Sequence, residues 1–589
     1  MRFILIATLV SLCFVSCRQA SKVPDRTVSQ VMDTVITRLY AKVQESEFAK
    51  IDDAYIDKFL SDEEKQVLAT RYQSFTVNVP VTVSLMRHQA QAVVPFWLES
   101  SGFVKTPMVV KNEEYTYDVW QKNFPAGSVN LGINGFDKHR PVYFISVAPQ
   151  KKEDALAITD VYPGYPLDTL RVGAFTYHDW SGLTITEVPD ALNGQALFTT
   201  VRGRAREAHV IDAFRKTAFP SSSSPDQIML TWSGSPQTSI DVQWRTMPSV
   251  SGGEVQYWLE GTADTLVAKA TMKQTQDRML YNDRYSNHFT ALITTLKPGS
   301  HYGYRVGSGD KGGWSDVRSF ETEGEHVKDF TFVWFGDTHT FPDSGKLVSL
   351  ADKENKDAAF YSIAGDIVST GLNRDDWDHL YGNSHDVFSR KPLMPVPGNH
   401  DRQDGMGAQL YYDLFSLPKN APKGVDEESS YSFEYGNALF IMIDATQDVE
   451  DHTPWIEETL AKTKATWKFV MFHFPPYNFE EPYPDIQAAW VPLFDKYHVD
   501  MVMGGHVHYY MRSRPMAAGK VVDGFDKGTV YAISISIPYR HDAIAAEPYA
   551  VKQYNGEYFY QRVEIHGNKL VYKSVNSEGV VKDEFVIQK

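Results

Sequence analysis

The sequence predicts a multidomain chain. Its C-terminal part reads as an α/β domain with a β-sandwich core flanked by helices. A small all-β sandwich precedes it, and before that lies an N-terminal α+β region rich in strands. Three observations carry this prediction. At 589 residues the chain exceeds what one hydrophobic core holds, and roughly three to five domains are expected. Beyond Phe75, short alternating apolar runs are broken by Gly, Pro and Asn, as in β-rich structure. From Val327 onward, apolar runs alternate with helical stretches such as PWIEETLAKTKA, which indicates α/β organisation. An apolar share of 42% and an aromatic share of 13% suffice for several buried cores and exclude wholesale disorder. The formal net charge of −16 repels nucleic acid and anionic surfaces on average, so no nucleic-acid partner is expected.

The chain opens with MRFILIATLVSLCFVSC, one early arginine and an apolar stretch from Phe3 to Val15, which is a signal-peptide pattern too short to span a bilayer. Phe14-Val15-Ser16-Cys17 resembles the lipobox of bacterial lipoproteins, with Phe14 where leucine is usual. That resemblance implies residues 1–17 as a signal, acylation of Cys17 and a membrane attachment by lipid; an ordinary cleaved secretory signal is the alternative. The only cysteines are Cys13 and Cys17, so the domains beyond them hold no disulfide and any metal ligands there are nitrogen and oxygen. Export to an outer membrane, facing periplasm or exterior, follows as an expectation.

Residues 18–219 form an N-terminal region. Helices are expected from Val28 to Val43 and after Ser61-Asp62-Glu63-Glu64, which has a Ser-x-x-Glu capping box. Strands are expected in FTVNVPVTVSL and RPVYFISVAP. HDWSG at His178 to Gly182 is a lone His-Asp pair best read as a turn. PSSSSPDQ, Pro220 to Gln227, reads as a linker. Residues 224–323 follow as the sandwich: SIDVQWRT sets Ile240, Val242 and Trp244 on one face against Asp241, Gln243 and Arg245, and HYGYRV alternates likewise.

In residues 327–589 each apolar run stops at a group able to bind a metal. FTFVWF ends in Gly336-Asp337-Thr338-His339, and AFYSIA in Gly365-Asp366. LMPVP ends in Gly398-Asn399-His400-Asp401, KFVMF in His473, and VDMVM in Gly504-Gly505-His506-Val507-His508. Sites in α/β folds gather at the carboxyl ends of strands, and glycines there let the backbone turn so that ligands converge. Carboxylates and imidazoles without thiolate suit Mn, Fe or Zn. Two such ions can clamp the attacking and leaving oxygens of a phosphoryl displacement.

This ordered set, GDTH, GD, GNHD, an isolated His and GHVH, resembles the calcineurin-like metallophosphoesterase superfamily. The resemblance implies two divalent ions, one held by Asp337, His339, Asp366 and His508 and the other by Asp366, Asn399, His473 and His506, with Asp366 as bridge. It implies His400 as a general acid oriented or tuned by Asp401, and a metal-bound hydroxide as nucleophile. The sandwich with LKPGSHYGYRVGSG and WSDVRSFET, followed by the esterase, is similar to purple acid phosphatases and their bacterial relatives, with a fibronectin III-like domain ahead of the catalytic one. Two positions depart from that group: His339 stands where the purple enzymes have Gly, and Ser369 stands where they have a tyrosine ligand. A colourless or weakly coloured enzyme with divalent metals is therefore expected.

The leading expectation is an exported phosphatase acting on a small phosphorylated substrate, a phosphomonoester. A phosphodiesterase acting on nucleotides or lipid head groups would use the same metals. A surface binding protein acting through the N-terminal region is the alternative of another class. His452, Tyr477, Tyr509, Tyr510, Arg512 and Arg540 are expected to border the cleft, where an aromatic could stack on a base and an arginine could hold a second phosphate.

Overall fold

The computed structural model describes residues 26–164, 166–177, 183–200, 209–212, 214–309, 313–384, 386–402, 407–480, 483–538 and 544–589. Cys17 with its signal-like segment, the His178–Gly182 turn and Arg540 lie outside these residues. No helix among the described residues is long and apolar enough to cross a membrane.

The first helix, Val28–Lys42, is opened by Thr27, whose side chain accepts from the Gln30 N–H while the Gln30 side chain accepts from the Thr27 N–H. Val31, Met32, Val35, Ile36 and Leu39 form its buried stripe, at the spacing that keeps one helix face on a core. Helix Asp62–Thr70 starts at Ser61 through the expected reciprocal cap with Glu64. These helices pack on the β-rich part of the region, which among the described residues comprises a seven-stranded and a three-stranded sheet. In the larger sheet, strand Val81–His88 lies between Thr116–Phe124 and Phe144–Pro149. Its alternation buries both faces: Val81, Val83 and Leu85 enter the core shared with the helices, and Met86 enters a second core with Tyr117 and Phe144.

The sandwich consists of two four-stranded antiparallel sheets. Ile240, Val242 and Trp244 fill its interior as their spacing predicts, but the polar side of the same strand, Ile240–Thr246, is also buried. That side faces the C-terminal domain, where Asp241 accepts from Ser416 Oγ at 2.9 Å and Arg245 meets Asp378 at 2.7 Å. The serine-rich segment before it is pinned as well: the Ser221 N–H donates to Asp283 and the Phe219 carbonyl accepts from Arg245. A linker by composition is thus a fixed part of the junction.

The C-terminal domain stacks a five-stranded sheet on a seven-stranded one. Rings of Phe332, Phe360, Phe440 and Phe469 fill the space between them, with centroids 5.1–5.4 Å apart for Phe332 and its three neighbours. Strands Asp329–Phe335 and Ala358–Ile363 run parallel in the first sheet, as do Trp467–Phe472 and Met501–Gly504 in the second. Parallel registration brings each pair's carboxyl ends to the same edge, so the segments that follow them emerge side by side. LMPVP, expected as a strand, makes only isolated bridges, Leu393 to Tyr361 and Val396 to Ala364, because its two prolines cannot donate to a ladder. Helix Val449–Lys462 begins ahead of PWIEETL, capped by Asp448, with Pro454 inside its first turns.

Candidate metal centre

Tight turns bring the strand ends together. Asp366, His339 and His506 hold left-handed backbone conformations, with φ of 48°, 42° and 71°. Non-glycine residues adopt this region at a cost of about 1–3 kcal/mol each, and such strain concentrates at functional sites. The neighbouring glycines permit close approach: a Cβ on Gly398 would lie 2.3 Å from Asp366 Oδ1, and one on Gly505 would lie 2.2 Å from Asp337 Oδ1.

The result, among the described residues, is a set of overlapping groups of ligand-type atoms. Asp337, His339 and His508 form one, Asp366, His473 and His506 form a second, and His339, Asp366 and His400 form a third between them. In the first, His508 Nε2 is 3.2 Å and His339 Nε2 3.8 Å from Asp337 Oδ2. In the second, His473 Nε2 lies 3.2 Å from Asp366 Oδ2 and 3.2 Å from His506 Nδ1. The groups join at Asp366, whose Oδ2 also faces His339 Nε2 at 3.7 Å and His400 Nε2 at 3.9 Å.

Backbone contacts fix these side chains. His473 Nδ1 is 2.9 Å from the Ala364 carbonyl, which orients Nε2 towards Asp366. His400 Nδ1 lies 2.7 Å from the Ser369 carbonyl, and the His400 N–H donates to Asp366 Oδ1. The Ser369 hydroxyl donates to the His339 carbonyl at 2.9 Å. Asp401, expected to orient the His400 ring, contacts the backbone instead: its carboxylate accepts from the N–H groups of Ile367, Val368 and Gly398 at 2.8–3.0 Å. It therefore ties the turn after Asp366 to the turn before His400.

Burial opposes charge throughout the centre. Asp366 is held well below the usual carboxylate range despite its burial, because His473, His400 and His339 face it. His473 is likewise desolvated, yet Asp366 and Asp337 raise it to about 9. Asp401 is pushed up to about 8 by burial and by Asp366, against its three N–H donors.

The donor set fits two divalent ions. Asn399 is buried and leaves both its amide oxygen and its amide nitrogen without a hydrogen-bond partner. An amide oxygen left unbonded beside converging imidazoles and carboxylates fits the role of a cation ligand. Asp337, His339, Asp366, Asn399, His473, His506 and His508 all come from the segments that the sequence marked.

The residues expected to border the cleft behave differently. His452 is buried between Ser430 and the Asp448 carbonyl. Tyr510 and Arg512 are buried against Asp583. Tyr509 packs on Phe479, and Tyr477 packs on Tyr531. His452 lies on helix Val449–Lys462 and Tyr510 and Arg512 on strand Tyr510–Ser513, each on a side that other elements cover. Among the described residues, the rings of Phe341, Phe474 and Tyr483 flank the centre. Phe474 directly follows the ligand-type His473, a signal the sequence contained.

Comparison with known proteins agrees with this geometry. Residues 225–322 match the model of the purple acid phosphatase N-terminal domain, and residues 330–510 match that of the calcineurin-like phosphoesterases. A purple acid phosphatase of Glycine max is 26% identical over 331 residues, covering 52% of this chain and 69% of its own length. The Fe(3+)-Zn(2+) purple acid phosphatase 12 of Arabidopsis thaliana is 26% identical over 328 residues, covering 52% and 69%. The solved structure of a purple acid phosphatase from yellow lupin seeds, Lupinus luteus, shares the fold over 89% of this chain and 91% of its own, at a TM-score of 0.56 and 14% identity. With this cluster of metal-ligand residues at its centre, the segment 330–510 is a calcineurin-like phosphoesterase domain, which makes the chain a metal-dependent phosphoesterase.

Proposed function

We propose that the protein is an exported phosphatase that hydrolyses phosphomonoesters at this centre. The observation that carries the reading is the position of Asp366, one of whose carboxylate oxygens faces His339, His400 and His473 together. A single carboxylate so placed would be shared by both ion sites. Asp337, His339 and His508 would complete one site, and Asn399, His473 and His506 would complete the other. When bound, the two cations supply Lewis-acid polarisation of the phosphoryl group and an activated water.

The protein's own residues supply the rest. His400, held at Nδ1 by the Ser369 carbonyl, presents Nε2 to the centre, where a proton on that nitrogen can pass to the departing oxygen. Asp401 acts through the backbone as a positioning residue, keeping His400 in register with Asp366. The names of the relatives support monoester chemistry. The fibronectin III-like sandwich at 224–323 braces the catalytic domain, and residues 18–219 brace the sandwich. Cys17 anchors the chain to an outer membrane through lipid.

The test is hydrolysis of 4-nitrophenyl phosphate against its bis-ester by protein starting at residue 18 and loaded with Mn, Fe or Zn, alongside Asp366→Asn. Preferential monoester cleavage, with activity down at least about a thousandfold in the variant and fewer than two metals bound, is expected. Preference for the bis-ester would make the protein a phosphodiesterase. Incorporation of labelled palmitate that is lost in Cys17→Ser tests the anchor.

A further inference from the structure

The surroundings of the centre point to how it recognises what is attached to the phosphate. On the side of His506 stands a wall of two rings. Phe474 meets the His506 imidazole edge to face at 4.7 Å and 87°. Tyr483 stacks on Phe474 at 5.2 Å and 20°, and its ring is 6.1 Å from His506. Both are only half-buried, although aromatic side chains next to a packed core are normally covered. Across the centre, on the His339 side, Phe341 is 41% exposed with its ring 6.3 Å from the His339 imidazole. It sits at the start of helix Pro342–Glu354, directly after the left-handed turn of His339 and Thr340.

Two arginines that follow the ligand-type motifs in sequence are already committed. Arg402, adjacent in sequence to Asp401, is 2.6 Å from Asp426 and 3.9 Å from Asp444. Arg512 is committed to Asp583 in the core. Both guanidinium groups are compensated, so a second phosphate on the substrate would meet no spare cation from either.

We infer that Phe474, Tyr483 and Phe341 select phosphoesters whose leaving group is a planar aromatic ring joined directly to the ester oxygen, an aryl phosphate. The inference rests on the phosphoesterase reading and deepens it. The wall touches the ligand-type imidazole itself, so a ring one bond from the phosphate reaches it. A nucleobase, held a whole sugar further out, passes beyond it. Offset and edge-to-face contacts between such rings add to the ordinary burial of apolar surface.

Two measurements on the metal-loaded enzyme test this. In the first, kcat/KM for phenyl phosphate, glycerol 2-phosphate and adenosine 5′-monophosphate is compared in the wild type, Phe474→Leu, Tyr483→Leu and Phe341→Ala. The ratio of aryl to alkyl substrate is expected to fall about fivefold in each variant, and the adenosine ester is expected to track the alkyl ester. Taking ratios removes the intrinsic reactivity of the phenolate leaving group. In the second, calorimetry compares binding of phenylphosphonate with methylphosphonate, which needs no turnover. Tighter binding of the phenyl compound that disappears in Phe474→Leu and weakens in Phe341→Ala, both variants keeping the wild-type circular dichroism, supports selection by these rings. Equal binding of the two phosphonates, or a preference the variants keep, overturns it. A ratio that falls for the adenosine ester instead reassigns the wall to nucleotides. Loss of turnover on every substrate with the phosphonate preference intact would refute the hydrolytic reading and leave the wall standing.

Discussion

At the scale of single residues, the centre is a balance of buried charges that metal binding resets. His473 is raised to about 9, above the ordinary histidine value, despite the burial that opposes its charge, because Asp366 and Asp337 face it. In metal-free protein this pairing contributes stability that is fully present below about pH 6.5 and is lost as pH climbs to about 9. The urea midpoint of metal-free protein should therefore fall between pH 7 and pH 9, and that of loaded protein should not share the trend. At pH 7 the same histidine must shed its proton to become a ligand. Calorimetric heats of metal uptake in Pipes and in Tris should differ by the difference in buffer ionisation enthalpy; identical heats would show that no proton leaves. Ser369 makes a further residue-scale prediction. Its hydroxyl is bonded to the His339 carbonyl, and no phenolate stands at this position. The iron-loaded enzyme should lack the visible charge-transfer band of the purple enzymes, and a strong band that bleaches on reduction would contradict this.

At the scale of elements, the site depends on how closely successive turns can approach one another. Gly398 lets the GNHD turn lie against Asp366, where a Cβ would come within 2.3 Å of the carboxylate. Gly398→Ala should keep the far-ultraviolet circular dichroism of the wild type yet lose metal and about a hundredfold in kcat, since displacements near 1 Å cost that much in a positioned site. Wild-type activity in that variant would mean the turn is adaptable. The burial of Asp241, Gln243 and Arg245 shows where strand alternation misleads. Period-two patterning separates two faces, but it does not say whether the polar face meets water or a neighbouring domain. LMPVP shows the complementary limit: its apolar composition reads as a strand, while its prolines confine it to isolated bridges.

At the scale of the whole molecule, one carboxylate ties three regions. Asp378, on helix Arg374–Ser384, accepts from Thr217 of the N-terminal region and pairs with Arg245 of the sandwich and with Arg374 of its own helix. The same helix follows Gly371, whose N–H donates to the His400 carbonyl, so the junction continues into the centre. Trp232 of the sandwich packs on Phe360, Phe433 and Tyr435, which makes the two domains one hydrophobic core. Asp378→Ala removes one of two carboxylate partners from each of the buried Arg245 and Arg374, which keep Asp226 and Asp283, and should cost about 1–3 kcal/mol in chemical denaturation. Residues 327–589 expressed alone should aggregate, because their sandwich-facing rings would be exposed; a soluble, active fragment would show the domains to be independent.

The cluster of ligand-type residues was legible in the sequence because each lies within a few residues of the end of an apolar run. In a parallel sheet, chain order at strand ends translates into proximity at one edge. The capping of the two N-terminal helices was legible for a similar reason, since a cap is a contact between residues three apart. What surrounds the ligands was not. Tyr509, Tyr510 and Arg512 follow the GHVH motif closely, yet the sheet turns them into cores with Phe479 and Asp583. The contacts that steady the centre are backbone carbonyls of Ala364 and Ser369, and a carbonyl carries no mark in the sequence. The sequence by itself determined the chemistry, because ligand types and their order survive any rearrangement of the surroundings. Only the tertiary structure decided which side chains line the cleft and which charges are already paired, because those depend on which faces of distant segments meet.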